Sequence, residues 1–129
     1  MHLATFLILS AVYIVPALTP WAACALIARI VYPNKSVFQV MDFVLLPLPF
    51  LAWVTLFMVD PFDNVSSKTL ANGIAEPMGL GILYGSLSLW RFLVQRRSTT
   101  GNQYLSLIMP CVGVIFALLI FLGMPSLPE

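Results

Sequence analysis

The chain has 129 residues, of which 60% are hydrophobic and 9% charged, where water-soluble domains average about a quarter charged. A soluble domain of this size buries too little surface to hide so many apolar side chains, so the composition excludes one. The formal net charge of +1 leaves no basic face for a nucleic acid.

The first apolar run covers residues 3–32, with Arg29 as its charged side chain and His2 at its edge. It is too long, and its start too poor in lysine and arginine, for a cleaved signal peptide. At about 1.5 Å per residue it exceeds a hydrocarbon core of about 30 Å, so it has to tilt or bend. Pro16 and Pro20 mark the place. Thr19-Pro20 has the form of a helix start, a capping hydroxyl before a proline at the first helical position. Two half-helices are therefore one reading of this run, and a single kinked helix is the favoured one.

Pro33-Asn34-Lys35-Ser36 reads as a tight turn, with Ser36 capping a second span over 37–59. That span carries Asp42 just inside its first end and Pro47 and Pro49 at its middle. Asp60-Pro61-Phe62-Asp63-Asn64 ends it and opens the longest loop. A third span covers 73–95. Arg96 to Asn102 form the next turn, and a fourth span covers 104–124. The expected fold is all-α, a single transmembrane domain over 1–129. It is an integral membrane bundle of four transmembrane helices, the first and second proline-kinked or broken. Cys24 and Cys111 fall inside apolar runs, where a thiol behaves as a small hydrophobe.

Five of the six basic residues, Arg29, Lys35, Arg91, Arg96 and Arg97, flank the first and third turns. The middle loop sets Lys68 against Asp60 and Asp63. An excess of lysine and arginine on cytoplasmic loops places those two turns inside a plasma (inner) membrane and both termini outside. Tyr32, Trp90 and Tyr104 then fall near the cytoplasmic interface, where amphipathic rings are favoured.

Several residues exceed what crossing a bilayer requires. Pro16, Pro20, Pro47 and Pro49 each remove a backbone donor and free a carbonyl one turn earlier, which in lipid needs a partner. Paired helix breaks at such depth build ion and substrate sites in transporters, though proline also simply shapes membrane helices. Asp42, Arg91 and Arg29 lie at matching depth inside the cytoplasmic ends of three spans. Charges there pair with each other or face water. An Asp42–Arg91 or Asp42–Arg29 pair is the favoured reading, and a proton- or cation-accepting Asp42 is the other. Glu76-Pro77 reads as the outer start of the third span, with the glutamate in a first turn favoured by the helix dipole. With Asp60 and Asp63 it outlines an acidic outer mouth. Gly79, Gly81 and Gly85 in the third span, and Gly113 and Ala117 in the fourth, have the spacing of close helix contacts.

The residues offer neither metal-ligand spacing nor a nucleophile and base, so no cofactor and no catalytic residue is assigned. The reading that follows is a small non-enzymatic membrane protein acting by lateral helix–helix association. It would serve as an accessory or assembly subunit, or a membrane-resident inhibitor, of a larger complex. Its partners would be membrane lipid and other membrane-protein subunits or a second copy of itself. The alternative is a small homo-oligomeric channel or transporter, with its pathway at the broken middles of spans one and two.

Overall fold

A computed structural model describes residues 3–33, 40–62, 65–95 and 102–128. His2, Asn34, Lys35, Ser36, Asp63, Asn64, Arg96 and Arg97, named in the sequence analysis above, lie outside the described residues. The regular structure among the described residues is all helical: α1 (Leu3–Val31), α2 (Val40–Leu45), α3 (Leu48–Val59), a 3-10 turn (Val65–Ser67), α4 (Leu70–Gln95) and α5 (Asn102–Gly123). Three stretches are long and apolar enough to cross a membrane. They are Leu3–Val31, Met41–Val59 (α2 and α3 together) and Tyr104–Gly123. The 26-residue α4 is roughly 39 Å long, but Asn72, Glu76, Ser88, Arg91 and Gln95 make one of its faces polar.

Helix α1 runs through Pro16 and Pro20 without interruption, so it is not divided into two half-helices. The helix start expected at Thr19-Pro20 is not used. The Thr19 hydroxyl instead donates back to Val15 O at 2.7 Å within the same helix. The second apolar stretch does divide, at Leu46-Pro47. Pro47 has no N–H to offer Phe43 O, and Leu46 N takes over that carbonyl at 3.3 Å in a tighter turn. Pro49 sits in the first turn of α3, where its missing donor costs no helical bond. The Tyr13 hydroxyl of α1 donates to Leu46 O at 2.6 Å, so a side chain closes the gap in the backbone ladder.

Asp60 ends α3 in a left-handed conformation (φ 45°), which aspartate tolerates better than most residues. Its N–H reaches Leu56 O at 2.9 Å, and its carboxylate accepts Val65 N–H at 3.1 Å. Helix α4 then begins at Leu70, three residues before the expected Gly73. Thr69 supplies that earlier start, its N–H donating to Asn72 Oδ1 at 3.3 Å. This is the backward half of a capping box.

Helix α4 is in contact with α1, α3 and α5, and α3 lies chiefly on α5. Its buried residues, from Gly73 through Pro77, Leu80, Gly81, Tyr84, Gly85 and Ser88 to Phe92, recur every three or four positions along one stripe. The core beside that stripe is aromatic. Tyr13 stacks on Phe50 at 5.4 Å between ring centroids, Phe50 on Trp53 at 6.0 Å, and Phe121 is fully buried.

Gly81 and Gly85 meet α1 at its prolines. A Cβ on Gly81 would collide with Tyr13 O and stand 2.8 Å from Pro16 Cγ. One on Gly85 would stand 2.6 Å from Pro16 O, the carbonyl that Pro20 leaves without its helical donor. Only glycine, without a side chain, lets that carbonyl approach so closely, as at close helix crossings. Gly113 takes the same part between α5 and Pro49, and Ala117 is fully buried. Gly79 does not belong to a packing face as expected, because a Cβ there would meet open space. Three hydroxyls bond within their own helices. Ser10 bonds Phe6 O at 2.7 Å, Thr55 bonds Leu51 O and Ser86 bonds Ile82 O, both at 2.8 Å.

Candidate functional site

The polar face of α4 carries two buried ion pairs, one near each end. Toward its C-terminal end, the fully buried Arg91 pairs through Nη1 with the Asp42 carboxylate of α2. The other guanidinium nitrogens are engaged as well. Nη2 donates to Ser106 Oγ of α5 at 2.9 Å, and Nε to Gln95 Oε1 at 3.1 Å. Gln95 is one helical turn beyond Arg91, so the two share a face. Asp42 is 6% exposed. Of the two partners weighed for Asp42, the structure seats Arg91 against it, while Arg29 lies exposed in the last turn of α1. The Gln95 Nε2 amide has no hydrogen-bond partner among the described residues.

Fifteen residues earlier on α4, roughly 22 Å along the helix, lies the second pair. Glu76 pairs with Lys68, which precedes the helix, and both side chains are nearly or wholly buried. Glu76 Oε2 accepts the indole N–H of Trp53 from α3 at 2.8 Å. Lys68 Nζ also donates to Phe121 O at 2.7 Å and stands 4.8 Å above the Phe121 ring. Asn72, fully buried, reaches Glu76 Oε1 at 3.4 Å and the Pro125 carbonyl at 2.8 Å.

This differs from the acidic outer mouth read from the sequence. Because α4 starts at Leu70, Glu76 is its seventh residue and stands in the second turn, inside the molecule. It is held by Lys68, Trp53 and Asn72 and is not on a rim with Asp60. Asp60 spends its carboxylate on the Val65 N–H, and Asp63 is outside the described residues. Lys68, Trp53, Asn72, Gln95 and Ser106 were not singled out from the sequence as partners of the buried charges. One signal was available: an indole N–H inside an apolar span needs an acceptor, and few acidic residues can supply it.

Between the two pairs the interior is filled by Tyr13, Phe50, Trp53, Leu80 and Tyr84. Each carboxylate therefore has its counter-charge and donors from within the chain, which is what a buried charge requires. Among the described residues no group of three His, Cys, Asp or Glu side chains could hold a metal ion. No family model, curated protein or solved structure matches the chain.

Proposed function

We propose that the chain is a four-span integral membrane bundle, crossed by α1, α2–α3, α4 and α5, that acts by lateral association with other membrane helices. It serves as an accessory or assembly subunit, or a membrane-resident inhibitor, of a larger membrane complex, and carries out no chemistry of its own. Helix α4 counts as the fourth span because its length suffices and its charges face inward. Pro16 and Pro20 bend α1 around it. The first and third turns face the cytoplasm, in a plasma (inner) membrane.

The observation that carries this reading is the inward pairing of the buried charges among the described residues, Asp42 with Arg91 and Lys68 with Glu76. That pairing leaves the outer faces to leucine, isoleucine, valine and phenylalanine, so contact within the bilayer is what the surface offers. The gap at Leu46-Pro47, where a substrate pathway would be sought, is filled from inside by the Tyr13 hydroxyl. A tagged chain purified from its native membrane in mild detergent is expected to carry a second membrane protein at fixed stoichiometry. Recovery of a clean homo-oligomer that moves ions across liposomes would overturn the proposal in favour of a channel or transporter.

A further inference from the structure

The segment after α5 is held by a device that the bundle does not need. Beyond Gly123 the chain leaves the helix and passes over the start of α4. There the Asn72 carboxamide pairs with its backbone twice: Oδ1 accepts Leu127 N–H at 2.8 Å, and Nδ2 donates to Pro125 O at 2.8 Å. The Thr69 hydroxyl adds a third bond, to Leu127 O at 2.8 Å. A side-chain carboxamide has the same donor and acceptor as a peptide group, so Asn72 binds the segment as a neighbouring strand would. All three bonds reach backbone atoms, and the Pro125 and Ser126 side chains above them are exposed. The cradle therefore reads extended backbone, with little demand on sequence.

Beneath this segment lies the Lys68–Glu76 pair. The Asn72 amide that holds Pro125 O also reaches Glu76 Oε1, so one side chain touches both the segment and the ion pair. Glu76 and Asn72 are fully buried although they stand within two turns of the helix start. Three bonds from Thr69 and Asn72, one from Met124 N–H to Ile120 O at 3.0 Å, and the half-buried Met124 and Leu127 hold the segment, whereas the helices are held along their length. Such lightly tied segments open most readily. Gly123, where α5 ends, has open space around it and gives the segment a hinge.

We infer that Thr69 and Asn72 form a binding cradle for extended polypeptide backbone, filled here by residues 124–127 of the same chain, and that this segment is a releasable strap over Lys68–Glu76. The experiment is amine acylation of the full chain in detergent, with modification of Lys68 followed by peptide mass spectrometry against Lys35. Lys68 is expected to react slowly in the wild-type chain. Leu127→Pro removes one strap donor, outside every helix, and is expected to speed the reaction about tenfold with melting temperature unchanged. A chain ending at Gly123 should react faster still, and the free hexapeptide Met-Pro-Ser-Leu-Pro-Glu should restore its protection. Equal Lys68 rates in wild type and Leu127→Pro would overturn the strap, as would a melting temperature that falls with Leu127→Pro. Failure of the peptide to protect the shortened chain at millimolar concentration would overturn the cradle.

Discussion

Arg91 is the residue on which the packing of α2, α4 and α5 depends most directly. A guanidinium with no exposure is tolerated because its nitrogens meet Asp42, Gln95 and Ser106. Removing one member of such a buried pair leaves the other uncompensated, typically at a cost of about 3–5 kcal/mol. Asp42→Ala is therefore expected to lower the melting temperature sharply. Asp42→Leu combined with Arg91→Met should recover much of that loss, though Gln95 and Ser106 then lack their donor. A well-folded Asp42→Asn chain that has lost a coupled ion flux would instead give Asp42 a transport role. This pair is legible in the sequence, because two opposite charges stand at matching depth in apolar runs read as neighbouring spans, where such groups pair. The Lys68–Glu76 pair is not, because the sequence places the helix start at Gly73. Only the bond from Thr69 N–H to Asn72 reveals three earlier helical residues, and those three move Glu76 from a rim to the interior.

At the scale of helices, the α1–α4 contact joins two patterns with one period. Pro16 and Pro20 are four residues apart on α1, as Gly81 and Gly85 are on α4, so each proline ring is seated against a glycine one turn from the next. The sequence displayed both patterns but not their match. Prolines at mid-span look like breaks until the partner that covers them is known, and a glycine stripe does not name its partner. Gly81→Ile is expected to force the helices apart, since its Cβ would collide with the Tyr13 carbonyl, a backbone atom that cannot swing away. The expected cost is at least the roughly 1–3 kcal/mol of core overpacking, read as lost thermal stability in detergent. Gly79→Ala, in open space on the same helix, should be neutral or stabilising by up to about 1 kcal/mol through helix propensity. A Gly81→Ile chain that melts with wild type would show that this crossing is not the one the protein uses.

For the whole molecule, the distribution of arginine and lysine predicts that the first and third turns share one side of the membrane and the α3–α4 loop the other. Single cysteines at Ser36, Ser98 and Ser66, in a chain lacking Cys24 and Cys111, test this with an impermeant thiol reagent on intact cells. Ser66 should label directly, and Ser36 and Ser98 only after permeabilisation; the opposite pattern rejects the orientation. That the described residues form long apolar helices was readable from the apolar runs, whereas the inward face of α4 was not, because polarity along a sequence does not say which way it will turn. That inward face has a consequence for how the chain is made. Helix α4 does not rank with the three stretches long and apolar enough to cross a membrane, and its charges are neutralised by groups on α2 and in the loop before it. Under the four-span proposal, newly synthesised α4 would enter the bilayer at reasonable cost only in company with helices that have preceded it. Damage at Asp42 or Lys68 would then register first as chains that stall at the insertion machinery and are degraded, and only afterwards as mature protein that works less well.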